Sequence, residues 1–130
     1  MPATSIARPD YDAHVRATRA TFPDVVRELQ DIVGAKLCAY IGSVKETRAV
    51  HQWAEGVREP GVEVQRRLRV AFQAAASISA ADGPAVAQAW FQGLNPQLDD
   101  RSPARLLREG DLDEVGPDVI GAARAFLAGG

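Results

Sequence analysis

The sequence predicts an all-α chain. Three observations carry that prediction. Apolar residues recur at spacings of three and four, never in sustained alternation. Glycine and proline punctuate the chain where helices would stop and start. Alanine supplies much of the hydrophobic 46 per cent, while aromatics reach only 6 per cent, a composition suited to closely packed helices.

The elements follow in order. Met1 to about Asp10 holds two prolines without periodicity and reads as an arm. Tyr11 to Thr21 fits a short helix. Phe22-Pro23-Asp24 opens the next, with proline in the first turn and an acid beside it; Val25, Val26, Leu29, Ile32 and Val33 form its apolar face. Ala35 to Gly42 makes about two turns, with Leu37, Cys38 and Ile41 inward and Gly42 expected in the left-handed conformation that closes a helix. The stretch Val44 to Gly56 places Ala49, Val50, Trp53 and Ala54 on one face and Thr47, Arg48, His51 and Gln52 on another.

Pro60-Gly61 is a turn. A long helix from about Val62 to Ala80 buries Val64, Leu68, Ala71, Phe72, Ala75 and Ile78, leaving Arg66, Arg69 and Gln73 opposite. Gly83-Pro84, Ser102-Pro103 and Gly116-Pro117 each set a cap-tolerant residue before a proline at the first helical position. They predict helices over Pro84 to Gln92, Pro103 to Glu109 and Pro117 to Ala128. Their expected buried residues are Val86, Ala89, Trp90 and Phe91, then Leu106 and Leu107, then Val119, Ile120, Ala123 and Leu127.

The bulk numbers bound the function. A chain of 130 residues builds one compact domain or two small helical units. Cys38 is the single cysteine, so it forms no internal disulfide and no cysteine metal cluster, and it reads as a small buried hydrophobe. No apolar run reaches the ~20 residues that span a bilayer. The start, Met1-Pro2-Ala3-Thr4, lacks a signal pattern, and a cytoplasmic location is expected. The net charge of −2 is unevenly placed. From Lys36 to Arg69 seven bases face four acids, a local net of +3, whereas from Asp82 onward four bases face eight acids, a net of −4. Two surfaces with two kinds of partner are expected.

Nothing argues for an enzyme. His14 and His51 have no neighbouring nucleophile or metal-ligand spacing. Asp99, Asp100, Asp111, Asp113 and Glu114 fall in loops and helix starts, where carboxylates cap and solvate. Phosphate-loop, dinucleotide and zinc patterns are absent from the sequence. No catalytic residue, metal or cofactor is expected.

A helix-turn-helix is expected instead, with Leu37, Cys38, Ile41 and Gly42 in its first helix and turn, and Val50 and Trp53 holding the second. Lys45 and Arg58 flank that second helix where phosphates would lie. Arg48 has a planar fork that suits guanine, Gln52 pairs in the same way with adenine, and Thr47 and His51 flank them. Glu46 and Glu55 oppose phosphates.

The stretch from about Leu29 to Arg69 resembles the Xre-type helix-turn-helix of antitoxins of the Xre/MbcA/ParS group. Ala35-Lys36-Leu37 and Val50-His51-Gln52-Trp53-Ala54-Glu55-Gly56 carry the likeness. A C-terminal run resembles that group's toxin-binding domain: Ala89-Trp90-Phe91, Asn95-Pro96, Leu98, Arg101-Ser102-Pro103, Leu106-Leu107 and Gly110. Asp99-Asp100 stands where family members often have a glycine-containing turn, and Phe91 where a leucine is common.

The resemblance implies an Xre-like helix-turn-helix domain followed by a small helical toxin-binding domain, over residues 23–81 and 82–130, after an arm over 1–22. It implies a type II antitoxin that forms homodimers, binds operator DNA to repress its own operon, and covers the active-site entrance of a RES-domain toxin acting on NAD. On that reading Arg101, Ser102, Arg105, Phe126, Gly129 and Gly130 are the candidate toxin contacts. The alternative is a stand-alone regulator whose C-terminal helices only dimerise.

Overall fold

The computed structural model describes residues 9–129; residues 1–8 of the expected arm, and Gly130, lie outside them, whereas Pro9 and Asp10, also expected in the arm, begin the first helix. Eight helices follow one another: α1 (Pro9–Arg19), α2 (Phe22–Val33), α3 (Ala35–Ile41), α4 (Thr47–Glu55), α5 (Val62–Asp82), α6 (Pro84–Gln92), α7 (Pro103–Glu109) and α8 (Leu112–Leu127). A 3-10 turn over Pro96–Leu98 joins α6 to α7. Among the described residues there is no strand, only one isolated bridge between Asn95 and Arg101. The all-α expectation holds. None of these helices is long and apolar enough to cross a membrane.

α5 is the spine. Its buried residues, Leu68, Ala71, Phe72, Ala74, Ala75, Ala76, Ser77 and Ile78, point in nearly every direction around the helix. Such a helix must be covered on several sides, and α1, α2, α6 and α8 all pack on it. One apolar core therefore runs from Ala13 in α1 to Ala123 in α8. The boundary expected between residues 81 and 82 falls within the last turn of α5, just before Gly83, and the core continues across it.

That packing moves Arg69. The sequence sets it opposite the buried stripe, yet α1 lies there. Its Nη1 donates to the carbonyls of Ala17 at 2.7 Å and Ala20 at 2.9 Å, at the end of α1, where helix carbonyls have no internal partner. Arg66 stays exposed on the side expected of it. It pairs with Asp113 at 2.7 Å and Glu63 at 3.2 Å, and the Asp113 hydrogen bond holds its guanidinium above the ordinary value.

The last helix starts earlier than the Gly116-Pro117 pattern predicts. Asp111 caps it by accepting from the Asp113 amide at 3.4 Å, and Asp113 and Glu114 fill its first turn. Pro117 lies inside, where its missing N–H leaves the Asp113 carbonyl without one helical bond. Burial also departs from expectation at Ala89, which is exposed, and at Val64, Val86, Ile120 and Leu127, which are half-buried. Cys38 is fully buried, and burial pushes its thiol up to about 12. It stays protonated at neutral pH, as an inert core side chain does.

Candidate nucleic-acid interface

The polar face of α4 is held by four devices around one turn. Trp53 is 2 per cent exposed and fills the space beneath α4, its ring 6.4 Å from that of Phe22. Gly42 lies directly against it: a Cβ there would stand 3.1 Å from two ring carbons and 3.2 Å from the Cys38 carbonyl. Gly42 is needed for this close approach and not for a left-handed backbone, since its φ is −77°. Ser43 takes the left-handed conformation instead, at φ 59°. Arg67 braces the turn, donating from Nη1 to the Ile41 carbonyl and to Ser43 Oγ, each at 3.2 Å.

At its other end α4 closes on Gly56 at φ 76°. The Gly56 amide donates to Trp53 at 3.2 Å and the Val57 amide to Gln52 at 3.1 Å, the paired bonds of a glycine-terminated helix. Here the expectation from the sequence is met.

The buried face of α4 is Ala49, Val50 and Trp53. Arg48 and His51 are exposed on the other side, and Thr47 and Gln52 are half-buried beside them. Arg58 folds back over the helix end and donates to Gln52 Oε1 at 3.4 Å. Lys45, Arg48, Gln52 and Arg58 line one concavity. A second adjoins it, sharing Lys45 and Arg48 and adding Lys36, Tyr40, Thr47 and Arg108. The expected DNA-facing residues are thus brought together, with His51 further round the exposed face.

The clustering of cations that lack a carboxylate partner sets this face apart. Arg16 is paired with Glu28, Arg27 with Asp24, Arg66 with Glu63 and Asp113, Arg101 with Asp99 and Arg105 with Glu109. Arg67 and Arg69 bond to backbone carbonyls. Among the described residues no carboxylate pairs with Lys36, Lys45, Arg48, Arg58 or Arg108, and all of them line the two adjoining concavities. Glu46 is the opposing charge, lining both hollows without capping α4 through its side chain.

The C-terminal candidates do not form one cluster. Ser102 caps α7, its hydroxyl accepting from the Arg105 amide at 3.2 Å. Arg101 donates from Nε to the Leu98 carbonyl at 3.1 Å. Arg105 stays exposed beside Glu109 at 3.1 Å. Phe126 is half-buried in a separate groove with Trp90, Leu94 and Pro96. Leu94, which the sequence does not single out, is 75 per cent exposed there. Trp90 itself is a core side chain, 8 per cent exposed and edge-on to Phe91 at 5.1 Å. Gly129 follows α8 exposed, at φ 86°.

Asp99 and Asp100 show why a glycine is dispensable in their loop. Both are left-handed, at φ 55° and 58°, a region aspartate tolerates better than most residues. No protein-family model matches the chain, and no curated protein or solved structure matches it. What the face of α4 offers chemically is recognition. Forked and ammonium cations surround amide, hydroxyl and imidazole groups that suit base edges. Tyr40 and Arg108 belong to this surface too. No local pattern in the sequence points to either, because they meet only through tertiary packing.

Proposed function

We propose that the chain is the DNA-binding antitoxin of a RES-type toxin–antitoxin pair. α3 and α4 form the helix-turn-helix, α4 enters the major groove of operator DNA, and the C-terminal half inhibits the toxin. The observation that carries the DNA end is the clustering of five cations without carboxylate partners among the described residues, Lys36, Lys45, Arg48, Arg58 and Arg108, in two adjoining hollows around α4. Such a face gains counterion release on meeting phosphates. Arg48 and Gln52 carry the base readout; Lys45 and Arg58 hold the backbone on either side. The protein acts as a homodimer, matching two half-sites, and performs no reaction itself.

The toxin end rests on the likeness over residues 89–110 and on two surface features. Leu94 and Phe126 present apolar area in one groove, and the C-terminal half is acidic against a cleft that binds an anionic dinucleotide. Co-expression separates this from the stand-alone regulator. The product of the adjacent gene should arrest growth alone and be neutralised by this chain. Arg48→Ala should leave that rescue intact, and Phe126→Asp should abolish it. A neighbour that is not toxic, or rescue indifferent to Phe126, supports the regulator instead.

A further inference from the structure

α7 carries two arginines with different surroundings. Arg105 is exposed and paired with Glu109 on its own helix. Arg108 turns the other way, toward α3. Its Nη1 donates to the Tyr40 carbonyl at 2.7 Å, and its guanidinium carbon lies 4.7 Å from the centroid of the Tyr40 ring. Tyr40 is 37 per cent exposed, so this stack sits at the surface, in the same hollow as Lys45 and Arg48.

A capping role alone explains one N–H. A guanidinium has several more in a fixed fork, and among the described residues nothing else accepts from Arg108. Its partner matters as well. Tyr40 is in the last turn of α3, where carbonyls carry the negative end of the helix dipole. The Tyr40 carbonyl also accepts the Ser43 amide at 3.1 Å, but an amide brings no net charge to offset that end against a phosphate approaching Lys45. Arg108 neutralises it and presents its remaining donors outward, while the aromatic ring fixes the plane of the fork.

We propose that Arg108 is a DNA-phosphate contact supplied from outside the helix-turn-helix, seated on Tyr40. The interface then extends from α4 across α3 to α7, and one short helix points Arg105 toward the C-terminal surface and Arg108 toward DNA. This rests on the DNA-binding reading above.

The test uses the full chain and a 30-base-pair duplex of arbitrary sequence, so that phosphate contacts are read without an operator. Affinity is measured by fluorescence anisotropy across a series of salt concentrations. Arg108→Met and Arg108→Gln should each lower the slope of log K against log salt by about one, and Arg108→Lys should keep most of it. Melting temperatures are recorded alongside, because a purely structural arginine would lower stability without changing the salt slope. An unchanged slope in both neutral variants, with wild type binding and Lys45→Gln reducing the slope, overturns the Arg108 proposal and leaves the DNA reading standing. A wild-type chain that does not bind the duplex even at low salt overturns both.

Discussion

Trp53→Ala should lower the unfolding free energy by about 3–5 kcal/mol, against a total of roughly 5–15 kcal/mol for a domain. The ring is 2 per cent exposed. Its loss leaves a cavity between α4, Gly42 and Phe22 that the turn cannot collapse to fill, because Arg67 braces the turn from outside. Urea denaturation reads the change directly. Gly42→Ala should cost about 1–3 kcal/mol by the opposite route, a methyl forced to within 3.1 Å of the ring. The two sites share one contact, so they should couple. Gly42→Ala combined with Trp53→Phe should cost less than the sum of the single changes, because a smaller ring leaves room for the methyl. Additive costs would mean that Gly42 is glycine for some other reason.

Arg48→Ala should weaken binding to DNA taken from upstream of the chain's own gene by about 1–3 kcal/mol, or roughly 5- to 150-fold. Melting temperature should hardly move, since the side chain is exposed and unpaired. Binding to arbitrary duplex should fall much less, as only one phosphate-attracting charge is lost. Arg48→Lys should restore the arbitrary-duplex affinity but not the specific one, because an ammonium cannot make the paired bonds of a guanidinium fork. Competition titrations with the two duplexes distinguish these effects. Equal losses on both would place Arg48 on the backbone and move base readout to Gln52 or His51.

The helices most readily read from the sequence are those framed by local chemistry. α6 and α7 run over the residues that Gly83-Pro84 and Ser102-Pro103 predict, and α4 ends at the glycine that predicts its end. The sequence also names the polar side chains around α4, because helical spacing alone sorts Arg48 and His51 from Val50 and Trp53. The missed features depend on distant partners or on competing signals. Gly116-Pro117 imitates a helix start, but the Asp111 cap lies upstream and the helix absorbs the proline. Gly42 reads as a conformational stop when it is a clearance for Trp53. Arg69 reads as lying opposite the buried stripe and nothing local marks Arg108, yet they bond to carbonyls 52 and 68 residues away. An arginine's local sequence does not reveal which helix end it will cap.

The proposed DNA site is α4 with the turn before it. Amide hydrogen exchange with and without saturating duplex tests this residue by residue. Exchange should slow from Ser43 through Val57, with the central turns of α5 unchanged because they are already buried. Unchanged exchange across 43–57 in the presence of bound DNA, or protection confined to the Trp90–Leu94–Phe126 groove, would contradict it.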